Sequence, residues 1–132
     1  MKNSLSWVEV NKKNIAYNIK NLKSLIRKKV RFMAVVKSNA YGHGLVEFAH
    51  EAEQAGVDYL GVISLDEALK LRQKGIKKSI MVLGFVPIKR LSEAQKGGIE
   101  IPIISLEYAS KLKDAEFSPK LKVHVKVETG IN

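Results

Sequence analysis

The chain has 132 residues, 45% of them hydrophobic, with a formal charge of +10 and no cysteine. That is enough for one cored domain and short for two, and it rules out disulfides and thiolate metal sites. No run nears the ~18 consecutive apolar residues of a membrane helix, and Met1-Lys2-Asn3-Ser4 lacks a signal peptide's apolar core, so a soluble, cytoplasmic protein is expected.

Most lysines stand singly or in pairs on polar helix faces or at helix ends. The densest cluster, Arg27-Lys28-Lys29-Val30-Arg31, falls where a helix should end, and no basic stripe is interleaved with aromatics. Neither a nucleic acid nor a membrane is expected as partner.

Asn11 can cap a helix in which Ile15, Ile19, Leu22 and Ile26 recur at helical steps and which ends in basic residues. A strand, Val30 to Lys37, follows. The next helix, from about Leu45, carries Leu45, Phe48, Ala49 and Ala52 on one face and stops at Gly56. Tyr59 to Ile63 reads as a short strand. Ser64 and Glu67 have the spacing of a capping box, opening a helix with Leu65, Ala68 and Leu69 inward and Gly75 at its end. Strand Ile80 to Leu83, a helix near Ile88 to Lys96 stopped by Gly97-Gly98, strand Ile99 to Ile104, a helix after Ser105 and a strand from about Leu121 to Val127 complete the pattern.

Such alternation, with near-continuous apolar strands, specifies an α/β fold: a parallel sheet covered by helices, doubly wound or curled into a (β/α) barrel. A dinucleotide fold would want G-x-G-x-x-G after its first strand, and Gly42-His43-Gly44 offers only a fragment of it. A TIM-type barrel needs eight units and about 250 residues, so about five units read as its N-terminal part. Alternation puts Arg31, Met33, Val35 and Lys37 on one face of the first strand, and Lys122, His124 and Lys126 on one face of the last. The opposite faces are apolar and suit helices. Lys37 and Lys126 would then face the barrel interior near the C-terminal strand ends, where barrel enzymes place their chemistry.

An unpaired interior lysine is costly to desolvate. It either snorkels to solvent or, with its pKa lowered, forms a Schiff base with a carbonyl. The neighbours favour the second. Ala34 to Gly44, AVVKSNAYGHG, closely resembles the cofactor-lysine signature of the alanine racemases, enzymes dependent on pyridoxal 5′-phosphate. SWVEVN, AGVDYLGVISLDEALKLR, IMVLGF and HVKVETGIN resemble family stretches in the same order.

The resemblance implies that Lys37 holds the cofactor and, once freed by substrate, acts as one of two catalytic bases. It implies that Tyr41 hydrogen-bonds the cofactor phosphate and that Val35 and Leu83 line the cofactor pocket. Lys126 matches a lysine carbamylated in many members, where it orients an arginine. The implied reaction interconverts L- and D-alanine, supplying D-alanine for peptidoglycan. The implied assembly is a homodimer in which the C-terminal β domain of the other subunit supplies a tyrosine as second base.

None of Tyr17, Tyr41, Tyr59 and Tyr108 matches that tyrosine, Glu128 stands where the family usually has aspartate, and Asn132 falls just before the family's carboxylate-contacting arginine. The expectation is an N-terminal portion. In it, residues 1–10 hold a strand, Ser6 to Val10, that belongs with the C-terminal domain, and residues 11–132 form a partial barrel. Such a portion is expected to be inactive alone and to self-associate through unpaired sheet edges. Two other readings stay open, a non-catalytic pyridoxal phosphate-binding module and a basic interaction protein. His43 between glycines reads as a turn residue, and His43, His50 and His124 lack metal-site spacing. Gly42 and Gly44 permit a tight backbone path.

Overall fold

Asn11 opens the first helix as its side chain predicts, Oδ1 accepting from Lys13 N at 2.9 Å and Asn14 N at 3.3 Å. The computed structural model describes residues 5–113 and 120–130; Met1–Ser4 and the final Ile131–Asn132 of HVKVETGIN lie outside them. In chain order the elements are α1 (Lys12–Ser24), β1 (Met33–Val35), a single-turn α2 (Lys37–Tyr41), α3 (Leu45–Gln54), β2 (Tyr59–Val62) and α4 (Leu65–Gln73). Then come β3 (Ser79–Val82), a 3-10 turn (Ile88–Arg90), α5 (Leu91–Lys96), β4 (Ile99–Ile103), α6 (Leu106–Lys113) and β5 (Val123–Val125).

The five strands form one sheet in sequence order, every pair parallel, with Ala34 opposite Leu60, Leu60 opposite Ile80, Ile80 opposite Ile99 and Ile101 opposite Val123. Sequential order without reversal is a sheet curling toward a barrel rather than a doubly wound one. One face carries the core: Leu60, Val62, Ile80, Val82, Ile99 and Ile101 are at most 1% exposed, packed under helix residues such as Ala49, Ala52, Ala68, Leu71 and Ala94. Each large side chain so buried contributes about 1.5–3 kcal/mol. On β5 the same face is open, with Val123, Val125 and Val127 exposed.

Four of the five strands are shorter than the apolar runs that announce them, β3 is shifted by one residue to Ser79–Val82, and at β1 a side chain sets the limit. The Phe32 N–H donates to Asp58 Oδ2 at 2.7 Å, and the Phe32 carbonyl accepts from Asp58 N and Tyr59 N, so regular pairing of β1 starts at Met33 instead of Val30. β5 narrows to three residues, although hydrogen bonds with β4 run from Lys122 O to Lys126 N. In α1, Ile15 and Ile19 are buried while Leu22 is half exposed, and in α4 Leu71 takes the fully buried place expected of Leu69. Residues 5–10 carry neither helix nor strand, so Ser6 to Val10 pairs with nothing in the described sheet.

Side chains also stitch the loops at the N-terminal strand ends. Arg72 donates from Nη1 to Ile76 O (2.6 Å) and Lys78 O (2.9 Å), from Nε to Gly97 O (2.9 Å) and from Nη2 to Gly98 O (3.4 Å). Glu53 Oε1 accepts from Lys77 N and Lys78 N. Among the described residues no helix is long and apolar enough to cross a membrane, and no group of His, Cys, Asp or Glu could hold a metal.

Candidate active site at the C-terminal strand ends

Val36 is fully buried and its N–H donates to Gly61 O at 2.7 Å, which keeps the chain bonded to β2 just beyond β1. Lys37, half-buried, follows as the first residue of α2. Ser38, Asn39, Ala40 and Tyr41 then have φ of 54°, 56°, 52° and 53°, a left-handed helical turn built without glycine and closed by Ala40 N–H on Val36 O at 2.9 Å. Left-handed helix costs most L-residues about 1–2 kcal/mol, asparagine less, so Ser38, Ala40 and Tyr41 carry about 3–6 kcal/mol that the surroundings must offset.

Asn39 is the hub of that compensation. Its carbonyl accepts from Gly42 N and Gly44 N, and its Oδ1 accepts from Leu45 N at 2.9 Å, capping α3 from outside the helix. The Ala40 carbonyl accepts from both the backbone N–H and Nδ1 of His43, whose ring meets Phe48 edge-on, so His43 is the turn residue its glycine neighbours suggest. Gly42 and Gly44 extend the positive-φ run at 93° and 92°, and a Cβ on Gly44 would lie 2.7 Å from Glu47 Oε2.

Glu67 clamps the turn from α4. Its Oε1 accepts from Ser38 N at 2.8 Å and more weakly from Asn39 N at 3.4 Å, while its Oε2 accepts from Ile63 N at 2.9 Å. The capping box is thus half formed: Ser64 Oγ accepts from Glu67 N, but the carboxylate bypasses the Ser64 amide.

Beside the turn lies a wall of small and apolar groups. A Cβ on Gly61 would stand 2.9 Å from Met33 Sδ, 3.3 Å from Leu83 Cδ1 and 3.4 Å from Val35 Cγ2, so Val35 and Leu83 converge over a residue with no side chain. Leu83 shares the adjoining clefts with Lys126. At Gly84 a Cβ would collide with the Ile63 carbonyl oxygen, so the ends of β2 and β3 meet backbone to backbone at the mouth. Tyr41 is 62% exposed.

Deeper on the same face, Glu100, 4% exposed, takes His124 Nε2 at 2.7 Å and Lys122 Nζ at 3.9 Å, with Tyr59 edge-on to His124 and Arg31 donating to Tyr59 Oη. Arg31, Met33, Val35, Lys122, His124 and Lys126 therefore share the interior face, as alternation predicts. Sequence reasoning missed Asn39, Gly61 and Glu100 as site-building residues. It found Glu67 through its helix-start spacing and assigned it a different job.

Fold and site together define a parallel (β/α) barrel segment, of the kind found at the N-terminal end of a TIM-type barrel, built around a strand-end lysine. The sequence model of the family "Alanine racemase, N-terminal domain" matches residues 10–132, and the chain belongs to that family. It is 40% identical over 129 residues to an alanine racemase of Oceanobacillus iheyensis, covering 96% of this chain and 34% of that protein. It is 44% identical over 127 residues to an alanine racemase of Clostridium kluyveri, covering 95% and 32%. The alanine racemase of Clostridium difficile 630 in complex with cycloserine superposes with a TM-score of 0.86 at 37% identity, over 95% of this chain and 34% of that one. The chain thus spans about a third of the length of these relatives.

Proposed function

We propose that this chain supplies the lysine-bearing half of an amino-acid racemase site, acting on alanine with pyridoxal 5′-phosphate held covalently by Lys37 Nζ. The observation that carries this is the half-buried Lys37 at the C-terminal end of β1, seated by a strained turn beside the wall of Val35, Gly61 and Leu83. The residues fit the cofactor. A side chain at Gly61 would crowd Met33, Val35 and Leu83, so its absence lets these groups close into one apolar wall against which a flat ring could lie, and the positive-φ glycines Gly42 and Gly44 let backbone approach a phosphate closely. Lys37 would hold the cofactor, Val35 and Leu83 would flank it, and Tyr41 would bond its phosphate. When bound, pyridoxal phosphate supplies an electron sink that makes the α-proton of an amino acid removable.

Racemisation needs that proton taken on one face and returned on the other. Lys37 Nζ serves one face. None of the four tyrosines of this chain lines the cleft by Leu83 and Lys126, and Tyr108 is buried with its hydroxyl on Val86 O, which supports a second proton carrier supplied by another domain. The reading extends to a cytoplasmic homodimer in which Ser6 to Val10 would join a C-terminal domain that supplies the second carrier. Carbamylation of Lys126, exposed at the end of β5, would turn a cation into an anion able to hold an arginine.

The test is incubation with pyridoxal phosphate, borohydride reduction and peptide mass mapping. The expected adduct concentrates on Lys37 and disappears in Lys37→Ala. Labelling spread evenly over surface lysines would refute the reading and favour a basic interaction protein. A racemase assay on the same sample separates catalysis from cofactor binding alone.

A further inference from the structure

We propose that Glu67 is a positioning residue for Lys37: its carboxylate fixes the backbone from which the lysine side chain leaves. A residue three positions into a helix ordinarily spends its carboxylate on the helix's own N-cap amide. Here one oxygen leaves the helix altogether, accepting at 2.8 Å from the N–H of Ser38, which lies 29 residues earlier and directly follows Lys37. The other oxygen accepts from Ile63 N, in the loop leaving β2. One rigid carboxylate thus ties the lysine's turn to the end of the neighbouring strand.

The turn cannot hold itself. Ser38, Ala40 and Tyr41 have no intrinsic reason to adopt positive φ, and Ser38 is the first residue at which the chain reverses hand. Before Ser38 the backbone is fixed by Val36 on Gly61 O, and after it by the bonds around Asn39. Ser38 N–H has Glu67 as its partner, so the clamp acts where the strain begins. A side chain with four rotatable bonds reaches one point reproducibly only if its α-carbon is held, and here the holding group sits on another element. Electrostatics adds specificity, because an anionic acceptor binds amide hydrogens more strongly than a neutral one.

The value of this placement for chemistry rests on the proposed cofactor role of Lys37, but the clamp itself is tested without cofactor. Amide hydrogen exchange is read by NMR on the cofactor-free chain for wild type, Glu67→Ala, Glu67→Gln and Ser64→Ala. Ser64→Ala removes the helix cap and leaves the carboxylate. If the proposal holds, Glu67→Ala speeds exchange at Ser38 by at least about tenfold relative to Ser64→Ala, the scale of one lost charge-assisted bond. Glu67→Gln, which keeps a single acceptor oxygen and loses the charge, speeds exchange at Ser38, at Ile63 or at both, and serves if the alanine variant fails to fold. Equal Ser38 exchange in Glu67→Ala and Ser64→Ala, or unchanged exchange at both amides in Glu67→Gln, overturns it.

A second arm reads the rate of borohydride-trapped pyridoxal phosphate adduct at Lys37 against surface lysines in the same sample. A Lys37 rate at least about tenfold lower in Glu67→Ala, with surface lysines unchanged, supports positioning. An unchanged rate despite faster Ser38 exchange overturns it. If wild type gives no Lys37 adduct, the cofactor reading fails while the exchange result still decides the clamp.

Discussion

Replacing Arg72 tests how the N-terminal ends of β3 and β4 are held. Its guanidinium serves the carbonyls of Ile76 and Lys78 before β3 and of Gly97 and Gly98 before β4, three of the four at 2.9 Å or less. Burial pulls its pKa down, opposed by the charges of Glu53 and Glu100, and it stays protonated at any working pH. Counting the three short bonds at about 1 kcal/mol each, the low end because Arg72 is half-buried, gives a loss of about 3 kcal/mol in Arg72→Met, which keeps most of the apolar stem. With a urea slope of about 1.5–2 kcal/mol/M, the unfolding midpoint followed by far-UV circular dichroism should fall by about 1.5–2 M. Arg72→Lys should recover less than half of this, because an ammonium lacks the planar fork that reaches both loops at once. A midpoint shift under about 0.3 M in Arg72→Met, or a lysine variant equal to wild type, would refute the argument.

Two further outcomes follow from other sites. Gly61→Ala, for which the end of Met33 must move and Leu83 must yield slightly, should leave Lys37 labelling by pyridoxal phosphate within about threefold, whereas Gly61→Val, which would force Val35 and Leu83 apart, should slow it by about tenfold or more; a valine variant that labels like wild type places the ring elsewhere. The Phe32 amide and then Lys23 hold the Asp58 carboxyl below its usual 3.8, so its contribution to stability is present above that value and disappears as pH falls through the lowered one. Asp58→Asn should therefore lower the urea midpoint at neutral pH, with the deficit shrinking as pH falls below the usual carboxylate range through the lowered value, and a deficit that stays constant across that fall would contradict the assignment.

The sequence declares features that are local in origin. Asn11 and Ser64 cap helices because the hydroxyl or amide needed lies within three residues of its partner, and Gly56 and Gly75 take positive φ at helix ends because nothing else does so cheaply. Alternation reveals the interior face because strand geometry has a fixed period. What stays hidden depends on distant partners. Nothing in Ser38, Ala40 or Tyr41 announces a left-handed turn, which exists because Asn39, Leu45 and Glu67 outvote local preference. Glu100 looks out of place in an apolar strand until His124, 24 residues later, is brought beside it. The start of β1 likewise shifts because the Asp58 carboxylate captures the Phe32 amide.

Gly84 lacks a side chain where the Ile63 carbonyl oxygen occupies the space, and the Ile63 amide is gripped by the carboxylate that also grips Ser38. The end of β3 and the residue after Lys37 are therefore joined by a short mechanical train of backbone, carboxylate and backbone that bypasses the apolar core. Leu83, one position before Gly84, is part of the pocket wall. Leu83 therefore adjoins the same chain of contacts that runs through the Glu67 carboxylate to the residue after Lys37, which places that wall and the lysine's turn on one shared support.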